Sequence, residues 1–321
     1  MRSRTNLVAT VVVAGFATLP MPAAAYVRTV TEAGAPTAWD NANVTMEFSL
    51  GSSPPVLSAG GFLDAAQQAG AAWSDASLDG VDRCSSMNLT VESVSDVAGP
   101  VGMDYHNRLI FRQGGWCRDP LPADGACYDP SALALTTVFQ LRDSGQILDA
   151  DLEVNATDFT WGDFVGSPEL FAYDTQDFQG AITHEFGHVI GLDHTCFSPG
   201  ETFGDGTLKP RPVDNKGNPV PDCSEGSLLP PTITDATMYV SVDSPRAEVD
   251  LRSLSPDDVQ GACDIYPVGG GGCSCTAEPG HGFSASLLVL LAMAALLLRR
   301  RQRRGTQAGT PPAPGAPGRA R

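Results

Sequence analysis

The stretch from His184 to His194, HEFGHVIGLDH, constrains this chain more than any other. His184 and His188 stand one helical turn apart, so on a helix both imidazoles leave the same face and can grip one ion. Glu185, beside the first of them, is placed to reach a water at that ion and is the candidate general base. Gly191 has no Cβ and can take the left-handed conformation that ends a helix, turning the chain back so that His194 arrives as a third nitrogen ligand. Three neutral imidazoles suit Zn2+ and leave one coordination position open. A bare H-E-x-x-H also occurs on unrelated helices as a polar surface run. Three histidines, an acid and a glycine in register, in a chain with only two other histidines, favour the metal site.

The two ends of the 321-residue chain read differently from its middle. Arg2 and Arg4 precede an apolar run from Leu7 to Leu19, and Ala23-Ala24-Ala25 then gives a small-residue cleavage pattern before Tyr26. Residues 1–25 therefore read as a signal peptide; the run is too short for a membrane span and ends in prolines. Residues 268–282 are a Gly- and Cys-rich linker containing Cys273 and Cys275, and residues 283–298 form a short apolar segment followed by an arginine cluster. That order reads as an anchor with its basic end in the cytoplasm, leaving residues 299–321 as a Pro-, Gly- and Ala-rich tail. The intervening region, 26–267, carries 36 of the 37 acids but 11 of the 20 Lys and Arg, a net charge of about −25. Such a surface excludes nucleic acid as a natural partner and keeps an exported protein soluble. Some of these acids could bind Ca2+, although no loop shows an EF-hand pattern.

Six cysteines lie in this region: Cys84, Cys117, Cys127, Cys196, Cys223 and Cys263. An even number in an exported chain reads as disulfides, and none has the C-x-x-C spacing of a zinc ligand pair. Nearness along the chain suggests Cys117 with Cys127 and Cys196 with Cys223, which leaves Cys84 for Cys263.

Hydrophobic periodicity supplies a coarse map. Residues 26–41 read as loop. Val44, Met46, Phe48 and Leu50 alternate with polar residues as a half-buried strand, and Met87 to Val91, Arg108 to Arg112 and Leu133 to Leu141 give three more. Phe62, Ala65, Ala66, Ala69 and Trp73 fall at helical spacing as a core stripe. Cys117 and Cys127 bracket a stapled loop. Leu148, Ala150, Leu152 and Val154 then alternate with Asp149, Asp151, Glu153 and Asn155, a row that reads either as a solvated edge or as a Ca2+ site; the spacing between same-face residues favours the solvated edge. Asp174 is the expected cap of the helix bearing His184, with Asp177 in its first turn. Ser255-Pro256-Asp257-Asp258 marks the start of a last helix, with a buried stripe at Val259, Ala262, Cys263 and Tyr266.

HEFGHVIGLDHT, with Thr195 after the third histidine, resembles the metzincin metalloproteases and most of all their matrixin branch. Two further stretches carry the resemblance. Ala236-Thr237-Met238-Tyr239 is similar to the Met-turn, a methionine forming an apolar floor under the metal ligands, against the alternative of a Met in an ordinary strand. LSPDDVQGACDIY, Leu254 to Tyr266, is similar to the closing helix of the catalytic domain. The resemblance covers most of residues 26–267 and implies an α+β fold, a mixed twisted sheet with an active-site helix and a C-terminal helix. It also implies a zinc-dependent endopeptidase acting on protein or peptide substrates, with the strand at 148–154 as the rim along which substrate lies. Three features depart from the pattern or narrow it. Residues 196–229 are a long Pro-, Gly- and Asp-rich insertion, more a decorated loop than a subsite. Val240 stands where some metzincins have an additional tyrosine ligand. The short leader has no cysteine to silence the metal. The C-terminal order of glycines, cysteines, apolar segment and arginines resembles the surface-sorting tails of myxobacterial exported proteins, which makes Cys273 or Cys275 the implied processing or lipid-attachment point. The resulting expectation is an exported enzyme, extracellular or held at the cell surface through the membrane, and the alternative is a non-catalytic surface adhesion or binding protein on the same scaffold.

Overall fold

The computed structural model describes residues 26–55, 59–95, 101–118, 127–162, 175–203, 206–240 and 251–269. The elements run β1 (Val27–Arg28), β2 (Ala38–Trp39), β3 (Asn43–Ser49), α1 (Ala59–Ser74), β4 (Asn88–Val94), β5 (Arg108–Arg112), β6 (Ala134–Gln140) and β7 (Gln146–Asn155). They continue with β8 (Thr160–Gly162), β9 (Thr175–Asp177), α2 (Phe178–Val189), β10 (Leu192–Asp193), α3 (Pro231–Thr234) and α4 (Pro256–Ile265). The long strands and helices coincide with the periodic segments of the sequence to within a residue or two at most ends. Residues 26–41 differ, because β1 and β2 lie in the stretch read as loop and pair with β10 and β7. Two-residue strands are too short to display an alternation.

The central sheet is mixed and mostly parallel, in the order β2-β7-β5-β3-β4, with β6 running antiparallel along β7. β6 pairs with β7 from Ala134 opposite Val154 to Gln140 opposite Ile147, and with no other described strand, so it is an edge. Val44, Met46 and Phe48 of β3, Leu109 and Phe111 of β5, and Ala150, Leu152 and Val154 of β7 are buried. They join Phe62, Ala66, Ala69 and Trp73 of α1, with Ile182 and Phe186 of α2, in one apolar core.

Phe178, the first residue of α2, sits among Phe48, Phe62 and Phe111, with ring centroids 6.2, 5.0 and 5.1 Å away. Offset and edge-on aromatic packing of this kind fixes the start of the helix against the sheet. The Trp73 indole adds a cross-helix bond, donating to the Thr183 carbonyl at 2.8 Å.

The acidic row of β7 corrects the sequence reading. Asp149, Asp151, Glu153 and Asn155 are fully buried. Residues 101–108 lie against the first two, so that Asp149 Oδ2 accepts from the backbone of Asp104 and Tyr105, both at 2.7 Å. Asp151 accepts from the backbone of Gly102 and Arg108 at 2.9 and 3.0 Å, and Glu153 pairs with Arg112 and accepts from the Tyr128 hydroxyl. Asp149 and Asp151 are thus backbone anchors and Glu153 a side-chain anchor, each carboxylate taking bonds from the protein in place of solvent. Burial outweighs those bonds for Asp151, whose pKa is raised to about 6. β7 is also excluded as the substrate rim, since both of its edges are occupied.

The disulfides are Cys84–Cys263, Cys117–Cys127 and Cys196–Cys223, as nearness along the chain suggested. No helix among the described residues is long and apolar enough to cross a membrane. The leader 1–25, the segment 283–298, Asp174, Cys273 and Cys275 lie outside the described residues.

Candidate metal centre

The helix that carries the first two histidines is capped by Asp177, not held by it within the first turn as the sequence suggested. Asp177 has an extended backbone and its carboxylate accepts from Gly180 N at 2.9 Å. Arg252 then clamps the same carboxylate with its Nε and Nη2 and donates from Nη1 to Gln179. That tertiary ion pair is a reason for the cap to fall at this aspartate.

At the other end, α2 stops at Val189 and Gly191 has φ +96°. A Cβ there would stand 2.4 Å from the Thr37 carbonyl oxygen, so the turn admits glycine on both conformational and steric grounds. The Trp39 indole donates to the Val189 carbonyl at 2.8 Å and the Tyr266 hydroxyl to Ile190 at 2.9 Å, satisfying carbonyls that a helix end leaves without partners. β10 then leads the chain back to His194.

The result is a convergence of three imidazoles. His194 Nε2 lies 3.3 Å from His184 Nε2 and 3.1 Å from His188 Nε2. The remaining nitrogens are spoken for: His184 Nδ1 donates to the Thr237 carbonyl at 2.6 Å and His188 Nδ1 to the Leu192 carbonyl at 2.9 Å. A carbonyl cannot donate, so in each of these two rings the proton belongs on Nδ1 and the lone pair on Nε2 faces the common point. Neutral rings are what burial favours here. Desolvation, with the charge of His188 second, lowers His184 to about 4, and desolvation also holds His194 well below the ordinary histidine range. The His184 and His188 Nε2 lone pairs therefore both face His194 Nε2, and a cation at that point would be bound by all three rings. Among the described residues these three form the group of His, Cys, Asp or Glu able to hold a metal ion.

Met238 packs against α2 between its two histidines. It is buried, its carbonyl accepts from Thr195 N at 3.0 Å, and a Cβ on Gly187 would stand 2.1 Å from its sulfur. Gly187 is therefore the gap in α2, between the two helical histidines, into which the thioether packs. Thr237, one residue earlier, is bonded on both sides: its carbonyl accepts from His184 and its N–H donates to Asp258 Oδ2 at 2.7 Å.

Asp258 was legible only as an acid in the first turn of α4. It is fully buried, and desolvation followed by the charge of Asp257 raises it to about 7. Ser255 occupies the cap position, yet its hydroxyl donates to Asp257 and Asp258 instead of accepting from the helix backbone.

Glu185 is buried, and its Oε2 accepts from the Thr136 hydroxyl of β6 at 2.6 Å. The general-base candidate thus sits between α2 and the edge strand. Thr136 carried no signal of this in the sequence, where it is one residue of an alternating run. Residues 196–229 also approach the three histidines, since the charge of Lys209 acts on His194 while its ammonium pairs with Glu201 at 3.2 Å. Val240 is 39% exposed, and no tyrosine stands at that position.

No protein-family model matches the chain, and no curated protein is significantly similar to it.

Proposed function

We propose that this chain is an exported zinc endopeptidase of the metzincin type. The observation that carries the reading is the convergence of the His184, His188 and His194 Nε2 atoms on one point, beside Glu185, which lies against a strand that has no second partner among the described residues. Three imidazole nitrogens, those of His184 and His188 with carbonyl-fixed tautomers, are the donor set that Zn2+ takes in hydrolytic sites. When bound, such a cation supplies Lewis acidity, polarising a carbonyl and lowering the pKa of water at the site.

The work of the protein's own groups follows from their positions. Glu185 accepts the proton of the attacking water and returns it to the departing amine nitrogen. Thr237 and Leu192 hold the His184 and His188 rings by their carbonyls, and Met238 closes the floor behind them. β6, whose outer edge pairs with no strand among the described residues, offers its backbone to an extended peptide, which makes protein or peptide chains the substrate class. Three disulfides and a strongly acidic middle region suit an extracellular or cell-surface location. Anchoring through residues 283–298, with processing or lipid attachment at Cys273 or Cys275, belongs to the same reading. Ca2+ is not needed for any of these steps.

Incubating the purified chain with casein or gelatin, with and without a chelator, tests the assignment. Chelator-sensitive cleavage by the wild type, bound zinc without turnover in Glu185→Gln, and no bound zinc in His184→Ala are expected. Stoichiometric zinc with no cleavage would instead favour a binding protein on the same scaffold, and full hydrolysis by Glu185→Gln would refute the role of the acid.

A further inference from the structure

We propose that Thr136 is the positioning residue for Glu185; the proposal rests on the peptidase reading and assigns a side chain that acts through the base. His184 and His188 share one stripe of α2, and Glu185, one residue on from His184, leaves the helix about 100° round from it. A glutamate so placed reaches the histidine side only in a restricted set of rotamers. Something must hold it there.

The Thr136 hydroxyl does so. It donates to Glu185 Oε2 at 2.6 Å and is the one described side chain bonded to that carboxylate. The same hydroxyl lies 3.4 Å from the Glu185 carbonyl, a longer and weaker alternative for its single proton. Binding Oε2 leaves Oε1 for water. β-Branching makes Thr stiff about χ1, so the hydroxyl is aimed by the strand.

The strand in turn is fixed from both faces. Thr136 pairs with Leu152 in the core of the sheet. On the opposite face the Thr137 hydroxyl accepts from Arg118 Nη2 at 2.8 Å, and Arg118 Nε donates to the Tyr128 hydroxyl at 3.0 Å. Tyr128 itself donates to the buried Glu153 at 2.7 Å, so Arg118 and Tyr128, next to the Cys117–Cys127 bridge, brace β6 from behind. The edge proposed to receive substrate backbone and the hydroxyl that orients the base are therefore the same strand, and a peptide docked on β6 is registered against Glu185.

Thr136→Val, which keeps the shape and removes the donor, and Thr136→Ser, which keeps the donor, test this in the purified zinc-loaded chain. A charge-assisted hydrogen bond lost at the base lowers kcat about tenfold to a hundredfold. Zinc content and KM stay near wild type in Thr136→Val, and Thr136→Ser recovers most of the rate. The second measurement needs neither metal nor activity: isotope-edited infrared spectra of the metal-free protein, with the Glu185 carboxylate band identified as the one lost in Glu185→Gln. That band shifts in Thr136→Val and returns in Thr136→Ser. An unshifted band, or wild-type kcat in Thr136→Val with zinc bound, overturns the proposal. A wild type that cleaves nothing sinks the peptidase reading alone, because the infrared band still decides whether Thr136 holds the carboxylate.

Discussion

Gly191→Ala isolates the turn on which the candidate metal centre depends. Two costs are readable. The backbone at φ +96° is disfavoured for any residue with a Cβ by about 1–2 kcal/mol. The new Cβ would also sit 2.4 Å from the Thr37 carbonyl oxygen. That oxygen belongs to backbone which cannot easily yield, because Thr37 is buried, its N–H donates to Thr29 O at 2.9 Å, and Thr29 N donates to Gly191 O at 3.1 Å. Overpacking of this kind costs about 1–3 kcal/mol, for a total of about 2–5 kcal/mol. In a domain of this size that corresponds to a fall in Tm of roughly 4–20 °C. The matched control is Gly200→Ala, where φ is +101° but no atom lies within 4 Å of the added Cβ, so only the conformational cost applies. Zinc affinity is the second readout. His194 follows the turn by three residues, and a metal site tolerates displacements of about 0.2 Å in its ligands, so affinity falls by at least about tenfold in Gly191→Ala and is unchanged in Gly200→Ala. Denaturant unfolding and competition with a chromophoric chelator measure the two effects. Equal destabilisation by the two substitutions, with zinc affinity intact, would refute the reasoning.

Other consequences are separable. Asp258→Ala leaves the buried Thr237 N–H without its acceptor, a cost of about 1–3 kcal/mol, and loosens the carbonyl that orients His184; zinc affinity in a chelator competition falls about tenfold to a hundredfold. Asp151 is raised by burial to about 6, so its folded state binds the proton more tightly than the unfolded chain does; its favourable contribution is present below about pH 4 and is lost as pH rises to about 6. Unfolding free energies of wild type and Asp151→Asn, measured from about pH 4 to 7, should diverge by about 3 kcal/mol across that window, and parallel curves would remove Asp151 as the titrating group. Replacing Cys84 and Cys263 by Ser costs more than replacing Cys117 and Cys127, about 5 against about 3 kcal/mol on the chain-entropy account, because the bridged residues are 179 and 10 apart. Calorimetric midpoints that fall equally would argue against an unfolded-state origin.

The elements visible in the sequence are those whose partners lie within one period of the chain. Val44 to Phe48 alternate because one face of β3 meets the core, and Phe62 to Trp73 recur at helical spacing because one stripe of α1 does. The histidine stretch was legible for the same reason, since two ligands share a helix face and the third follows a glycine turn. What was hidden depends on distant partners. Alternation in β7 announced two faces but not that the acidic one is covered, and the partners of Asp149 and Asp151 are backbone N–H groups of residues 102–108, which leave no mark in side-chain pattern. The role of Asp177 turned on Arg252, 75 residues away, and that of Thr136 on Glu185, 49 away.

These distant contacts explain why a two-residue spacing rule cannot by itself make a metal centre. The helix contributes His184 and His188, but their orientation is decided elsewhere. His184 is held by Thr237, Thr237 by Asp258 at the start of α4, and the end of α2 by the Tyr266 hydroxyl just beyond the end of α4. α4 is itself tied to the segment before β4 by the Cys84–Cys263 bridge. The Thr195 N–H that follows His194 bonds to Met238, so the third ligand and the floor move together. A polar run of the same spacing on a surface helix would have none of these constraints: its imidazoles would sample many rotamers, and each would have to be ordered at the moment of metal binding, at a cost of side-chain entropy for every ligand. In this chain that entropy is lost during folding, when Thr237 and Leu192 fix the His184 and His188 rings and the left-handed turn at Gly191 leads back to His194. The α4 buttress therefore matters to the candidate site as the histidines do, because through Asp258 and Thr237 it fixes the ring of His184.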